Sequence, residues 1–122
     1  MDLNSLSWID NILEYFKIPK ESLPSIKPSF FNYGTNKKIL KNIPITAVLG
    51  DQQASLFGQN CIKPGDVKNT YGTGCFALTN TGTKIVKSNN GLLSTLAYQK
   101  EGDGPKYALE GSVSIAGAAV QW

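Results

Sequence analysis

The sequence predicts an α/β fold in which one strand-turn-helix piece is followed by antiparallel strands, and three observations carry that prediction. A short apolar run, Ile43-Pro44-Ile45-Thr46-Ala47-Val48-Leu49, ends at Gly50-Asp51, from which Gln52–Gln59 provide two helical turns. Apolar runs of this length bounded by turn residues read as buried strands. Downstream, the strand-like runs Val67–Tyr71, Cys75–Asn80, Leu92–Tyr98 and Lys106–Glu110 alternate with turns rich in Gly, Asn and Pro. The last stretch, from Ser112, is small and apolar, and it opens a further helix.

Taken in order, Trp8, Ile9, Ile12, Leu13 and Phe16 recur at three- and four-residue steps, the spacing of one helical face. Ser7 and Asp10 resemble a capping pair, and Pro19 stops the helix at about Ile18. This face, Trp8 included, is expected to pack into the core. From Lys20 to Asn42 the prolines Pro24 and Pro28, with Gly34, break the chain around Phe30, Phe31 and Tyr33. That segment reads as an irregular connection with one short strand, and Lys37, Lys38 and Lys41 as a solvated basic cluster. Asp51 then has two readings: an N-cap, for which Asp is a favoured residue, or a catalytic carboxylate between a strand end and a helix start. Lys63-Pro64-Gly65-Asp66 is a turn, because Pro presets φ and Gly accepts positive φ.

Gly72-Thr73-Gly74 is a three-residue hairpin connection. Asn80-Thr81-Gly82, Asn89-Asn90-Gly91 and Glu101–Pro105 separate the later runs. The final helix holds Ile115, Ala116, Gly117, Ala118, Ala119, Val120 and Gln121-Trp122, with no Gly, Asn or Pro to end it. The later strands read as an antiparallel meander, and a meander must cover its apolar face with another layer. Only the first turns of such a layer are present. The chain is therefore expected to be a fragment across a domain junction, with 1–59 on one side and 60–122 on the other.

Composition narrows the function classes. Of 122 residues, 41% are hydrophobic and 17% charged, as in globular proteins. No apolar run approaches the ~20 residues of a membrane-spanning helix. The N-terminal residues show no signal-peptide pattern, so a cytoplasmic location and free thiols are expected. A net charge of +3 is too mild to point to nucleic acid. All the basic residues are Lys, with no Arg and no His. That excludes Ser-His-Asp and Cys-His nucleophile systems and His-ligated metals built from this chain. It also means that bidentate clamping of a phosphate must come from elsewhere. Cys61 and Cys75 are too few for a Cys-rich zinc site.

Three motifs are more specific: Gly50-Asp51-Gln52-Gln53-Ala54, then Asn69-Thr70-Tyr71-Gly72-Thr73-Gly74-Cys75-Phe76, then Ala108-Leu109-Glu110-Gly111 with Ala116-Gly117 and Gln121-Trp122. Together, in this order and spacing, they resemble the FGGY carbohydrate kinases, and among these the glycerol-phosphorylating members. Weaker agreements occur at Trp8, Ile18-Pro19, Leu23-Pro24 and Tyr33-Gly34. The resemblance covers essentially the whole chain and is to the middle of those enzymes.

It implies a ribonuclease-H-like fold of the actin/hexokinase type, two domains closing over a cleft, the first for polyol and the second for nucleotide. It implies glycerol as acceptor and ATP with Mg2+ as phosphoryl donor, giving ADP, with no metal ligand in this chain. It matches Asp51 to the catalytic base and Gln52 to a glycerol contact. Thr73 matches a nucleotide phosphate contact, and Gly117 and Gln121 match nucleotide-binding positions. Glu110 is left with a structural role or one supporting the site residues from behind, and no catalytic one. The phosphate loop, an Arg-Glu pair and an aromatic glycerol contact of the family would precede Met1, and further adenosine contacts would follow Trp122. Neither nucleic acid nor a membrane span is implied, and a homo-oligomer of the full-length parent is left open.

The residue chemistry agrees with these roles. Phosphoryl transfer needs positioning, charge stabilisation and one carboxylate to deprotonate the acceptor. The Gln52 amide has both donor and acceptor capacity, suiting a polyol. The Gly72 and Gly74 backbone permits close approach of an anion, to which Thr73 donates. Taken without the resemblance, Gly72-Thr73-Gly74 reads as a plain hairpin turn, Gly117 as either a packing glycine or a bare patch of helix, and Gln121 as a solvated residue. Two rival functions stand beside the first: a pentulose-type FGGY kinase, and a non-catalytic actin-like nucleotide-binding domain.

Overall fold

Helix α2 (Asp51–Gly58) lays Leu56 and Phe57 against a four-stranded sheet, and the core forms where they meet. The computed structural model describes residues 1–39 and 42–122, so Lys41 of the expected basic cluster lies outside the described residues. The sheet comprises β3 (Val67–Tyr71), β4 (Cys75–Gly82), β5 (Leu93–Tyr98) and β6 (Lys106–Val113). Every pairing in it is antiparallel. Leu56 and Leu78 are fully buried with Cys61, Ala97, Tyr98 and Ala108, and Phe30, Leu49 and Phe57 pack against them. Burying a leucine side chain stabilises a fold by about 1.5–3 kcal/mol. The Phe57 ring lies 4.9 Å from that of Phe30 and 5.3 Å from that of Tyr98, centroid to centroid. Phe30, placed by sequence in an irregular connection, is thus the aromatic that ties this connection to the core.

The strand order is β3-β4-β6-β5, which corrects the expected meander. β6 lies between β4 and β5 because β4 and β6 are matched in length and pair from Cys75↔Val113 to Gly82↔Tyr107. β4 also runs through Asn80-Thr81-Gly82, which read as a turn. Its ladder shifts register between Asn80 and Gly82, and Gly82 takes φ +69°, the backbone of a bulge. The buried Asn80 amide satisfies this bulge, donating to Cys61 O at 2.9 Å and accepting from Gly82 N at 2.8 Å. β6 continues past Glu110 to Val113, so the last helix, α3 (Gly117–Gln121), starts later than Ser112. The Gly72-Thr73-Gly74 hairpin forms as expected, with Tyr71 opposite Cys75. Gly65 takes φ +94° in the turn before β3.

Two expectations fail in the first half. The run Ile43–Leu49 is not a buried strand. Only Ile43–Pro44 (β2) pairs as a strand, with Thr35–Asn36 (β1), and Ile43, Ile45 and Val48 are exposed. Pro44 has no N–H for a ladder, and the rest of the run bonds irregularly to the aromatic segment, with Phe31 N donating to Thr46 O and Tyr33 N to Ile45 O. Helix α1 is short, Asp10–Tyr15, with Ile9 as an N-cap that makes no side-chain hydrogen bond, so the Ser7/Asp10 capping pair is absent. The expected apolar face is only partly packed: Leu13 is buried and Trp8 and Ile9 are half-buried, whereas Ile12 and Phe16, the residue that follows the helix, are exposed. Trp8 is half-buried and donates from Nε1 to Pro24 O at 3.1 Å. Cys61 and Cys75 are free thiols. Among the described residues no helix is long and apolar enough to cross a membrane.

Candidate active site

Asp51 stands at the first position of α2, exposed, with Gly50 rather than Asp51 as the N-cap. The capping reading of Asp51 is therefore corrected. Gly50 takes the cap, and the carboxylate is left at the positive end of the helix. Asp51 Oδ1 accepts from the Gln52 backbone N–H at 2.8 Å, and Oδ2 accepts from Gln52 Nε2 at 3.4 Å. The Gln52 amide oxygen accepts from Lys68 Nζ. Lys68 also donates to Thr70 Oγ1 at 2.8 Å and to Phe76 O at 3.3 Å.

Lys68 is the residue that sequence reasoning missed. It is 5% exposed, and a lysine is almost never that buried unless paired. Burial pushes its pKa down, against the nearby charges of Glu110 and Asp51, and then Cys61, which hold it up. Alternation along β3 does place Lys68 opposite in facing to Val67 and Tyr71. Which face is buried is settled by the cross-strand partner Leu78 and by α2 above it. Glu110, left structural by sequence, is one of the charges that this ammonium feels.

A second cluster forms at the hairpin tip. Thr73 is exposed there, and Gly72 N donates to Gly74 O across it at 2.9 Å. The start of α3 docks on this turn: Ala116 N donates to Thr73 O at 2.8 Å and Gly117 N to Gly72 O at 3.0 Å. A Cβ on Gly117 would lie 2.4 Å from Gly72 O. The side of Gly117 that lacks a side chain is thus filled by the hairpin backbone. Gln121 lies one turn further along α3 and is exposed. The structure therefore joins Asp51 to Gln52 in one cluster and Thr73 to Gly117 in another. Lys68 and Thr70, on the strand leading to the hairpin, lie between them.

No family model matches the chain. Its homologues are glycerol kinases. It is 54% identical to that of Brucella anthropi over 123 residues, covering 100% of this chain and 25% of the relative. It is 54% identical to that of Methylobacterium radiotolerans over 122 residues, covering 100% of this chain and 24% of the relative. A crystal structure of Plasmodium falciparum glycerol kinase with ADP superposes with a TM-score of 0.92 and 45% identity, covering 100% of this chain and 25% of that one. The chain spans about a quarter of the length of the curated relatives it matches, within an internal portion of them. Its mixed helix and sheet content agrees with a piece of an actin/hexokinase-type ATPase.

Proposed function

We propose that this chain is the central segment of a glycerol kinase, which transfers the γ-phosphoryl group of ATP to glycerol. The observation that carries the reading is the superposition, over the full chain, on a glycerol kinase solved with ADP. In this reading Asp51 is the general base. It accepts the proton of the attacking hydroxyl as that oxygen bonds to the γ-phosphorus and the bond to the β-phosphate oxygen breaks, giving glycerol 3-phosphate and ADP. An exposed carboxylate, not engaged as a helix cap, supports this role. Gln52 hydrogen-bonds glycerol and Thr73 donates to a nucleotide phosphate. Gly117 and Gln121 belong to the nucleotide side, Gly117 by bringing α3 onto the Thr73 turn.

Segment 1–59 belongs to the glycerol-binding domain and 60–122 to the nucleotide-binding domain, tied together where Leu56 and Phe57 meet the sheet. Among the described residues no three His, Cys, Asp or Glu side chains gather as a metal site. Mg2+ is commonly held through substrate phosphates and waters with one or two carboxylates. In this reading the ion arrives with the nucleotide phosphates. The parent enzyme is placed in the cytoplasm.

The test is turnover by a full-length enzyme carrying this segment, with glycerol and pentuloses compared as acceptors. Phosphorylation of glycerol in preference to pentuloses is expected, and a preference for a pentulose would favour the other FGGY kinase reading. Asp51→Asn should lower turnover by ~10²–10⁴-fold, the usual loss for a general base. Its stability cost should stay near the ~0.3–1 kcal/mol of a carboxylate at a helix start. Near-normal turnover in that variant would remove Asp51 from the chemistry and leave a nucleotide-binding domain without this catalytic base.

A further inference from the structure

The buried lysine has no part in the proton transfer assigned to Asp51, yet every proton of its ammonium is engaged. An ammonium has three donors and no acceptor, and Lys68 directs them to the Gln52 amide oxygen, Thr70 Oγ1 and Phe76 O. A carboxylate, by contrast, only accepts. The Gln52 amide lies between these two groups, with its oxygen toward Lys68 and its nitrogen toward Asp51 Oδ2. Donor chemistry therefore permits one orientation of this amide. Turned through 180°, it would face an NH2 group to the ammonium and an oxygen to the carboxylate, which is repulsive at both ends.

We propose that Lys68 is a positioning residue for the acceptor end of the site, holding the Gln52 amide so that its nitrogen faces Asp51 and the substrate. The proposal rests on the glycerol kinase reading, and it narrows the part that Gln52 plays there. With its oxygen turned to Lys68, the Gln52 amide presents its nitrogen on the Asp51 side, so that it acts toward glycerol as a donor. One N–H goes to Asp51 and the other is left for a hydroxyl oxygen of the acceptor. Asp51 takes the complementary part and accepts the hydroxyl proton. Lys68 itself touches neither substrate. It is anchored by the strand pair β3–β4, through Thr70 and the Phe76 carbonyl, so the sheet core sets the orientation of a side chain on α2.

The experiment is a mutant cycle in a full-length enzyme carrying this segment, with Lys68→Met, Gln52→Ala and the double variant. Lys68→Met should lower kcat/KM for glycerol about ten- to a hundredfold, the effect of losing a hydrogen bond with a charged group, and leave KM for ATP within about twofold. With Gln52→Ala already present, Lys68→Met should cost less than about threefold more, because residues acting through one another are not additive. An equal further loss in that background, or an unchanged kcat/KM in the single variant, overturns the proposal. Should Lys68→Met not fold, Lys68→Leu, which likewise carries no donor, replaces it in the same cycle with the same criteria applied. The outcomes separate from those of the functional reading. Loss of turnover in Asp51→Asn together with an additive cycle rejects Lys68 alone, whereas normal turnover in Asp51→Asn rejects the catalytic reading itself.

Discussion

A hydroxyl at the tip of a two-glycine turn has few structural duties, and Thr73 is such a residue: exposed, with its backbone carbonyl rather than its side chain holding α3. Thr73→Ala should therefore change stability little. It should raise KM for ATP about ten- to a hundredfold, the ~1.5–3 kcal/mol of a hydrogen bond to a charged group, while KM for glycerol holds. Steady-state kinetics with each substrate varied in turn would check this, and a change in the glycerol dependence alone would move Thr73 to the acceptor site. Lys68 allows a prediction of another kind. Burial lowers its pKa in the folded state below the ordinary 10.5, so between those two values the unfolded chain binds more protons than the folded one. In that window stability rises with pH as the cost of the buried charge is relieved. Comparing the unfolding free energy of the full-length enzyme with that of Lys68→Met from neutral pH upward should show the variant lacking this rising contribution. Parallel pH dependences would mean that the ammonium carries no desolvation cost.

Among the elements, the start of α3 and the β3–β4 hairpin are held together by backbone hydrogen bonds to Gly72 O and Thr73 O. Inside a helix, Gly→Ala ordinarily gains up to ~1 kcal/mol from propensity. At Gly117 the new Cβ would stand 2.4 Å from a backbone oxygen of the hairpin, and such overlap costs about 1–3 kcal/mol when the neighbour is not free to yield. The overlap should win, so Gly117→Ala is expected to lower the unfolding midpoint of the full-length enzyme and to raise KM for ATP more than KM for glycerol. A raised midpoint would show that the turn gives way and that Gly117 is open to substitution. The same logic accounts for Gly74, where a Cβ would lie 2.7 Å from Val113 O. These two glycines answer to close backbone approach rather than to positive φ.

Across the chain as a unit, the balance of covered and uncovered surface matters most. Tyr15 at the end of α1 and Phe16 just after it, Leu93 on the edge strand β5, and Val120 and Trp122 at the end of α3 are all exposed. Exposed apolar side chains and open sheet edges favour association. The 122-residue chain alone should elute as oligomers in a sizing experiment and show no glycerol-dependent ATP turnover. Positioning both reactants accounts for ~7–11 kcal/mol of barrier lowering, and the Arg-Glu pair and phosphate loop implied by the resemblance are not among its residues. A monomer with one cooperative unfolding transition would show that these faces tolerate water. Measurable turnover would show that the segment holds a whole site.

Features that depend on neighbours along the chain were legible in the sequence. The α2 start at Gly50-Asp51, the Gly65 turn and the Gly72-Thr73-Gly74 hairpin follow from local φ preferences and alternation, and all are found where those preferences place them. The homology, too, was legible in the three motifs read together. Features that depend on contacts distant in sequence emerged only with the packed chain. β6 enters between β4 and β5, Asn80 is buried inside a strand rather than exposed in a turn, and part of the apolar face of α1 is left exposed. Lys68 is the clearest case. A lysine in a strand is ordinarily solvated, and its burial depends on Gln52, sixteen residues earlier on another element. Charge is removed from water only where partners with the right acceptors have already been brought together, and that is a property of the packed fold.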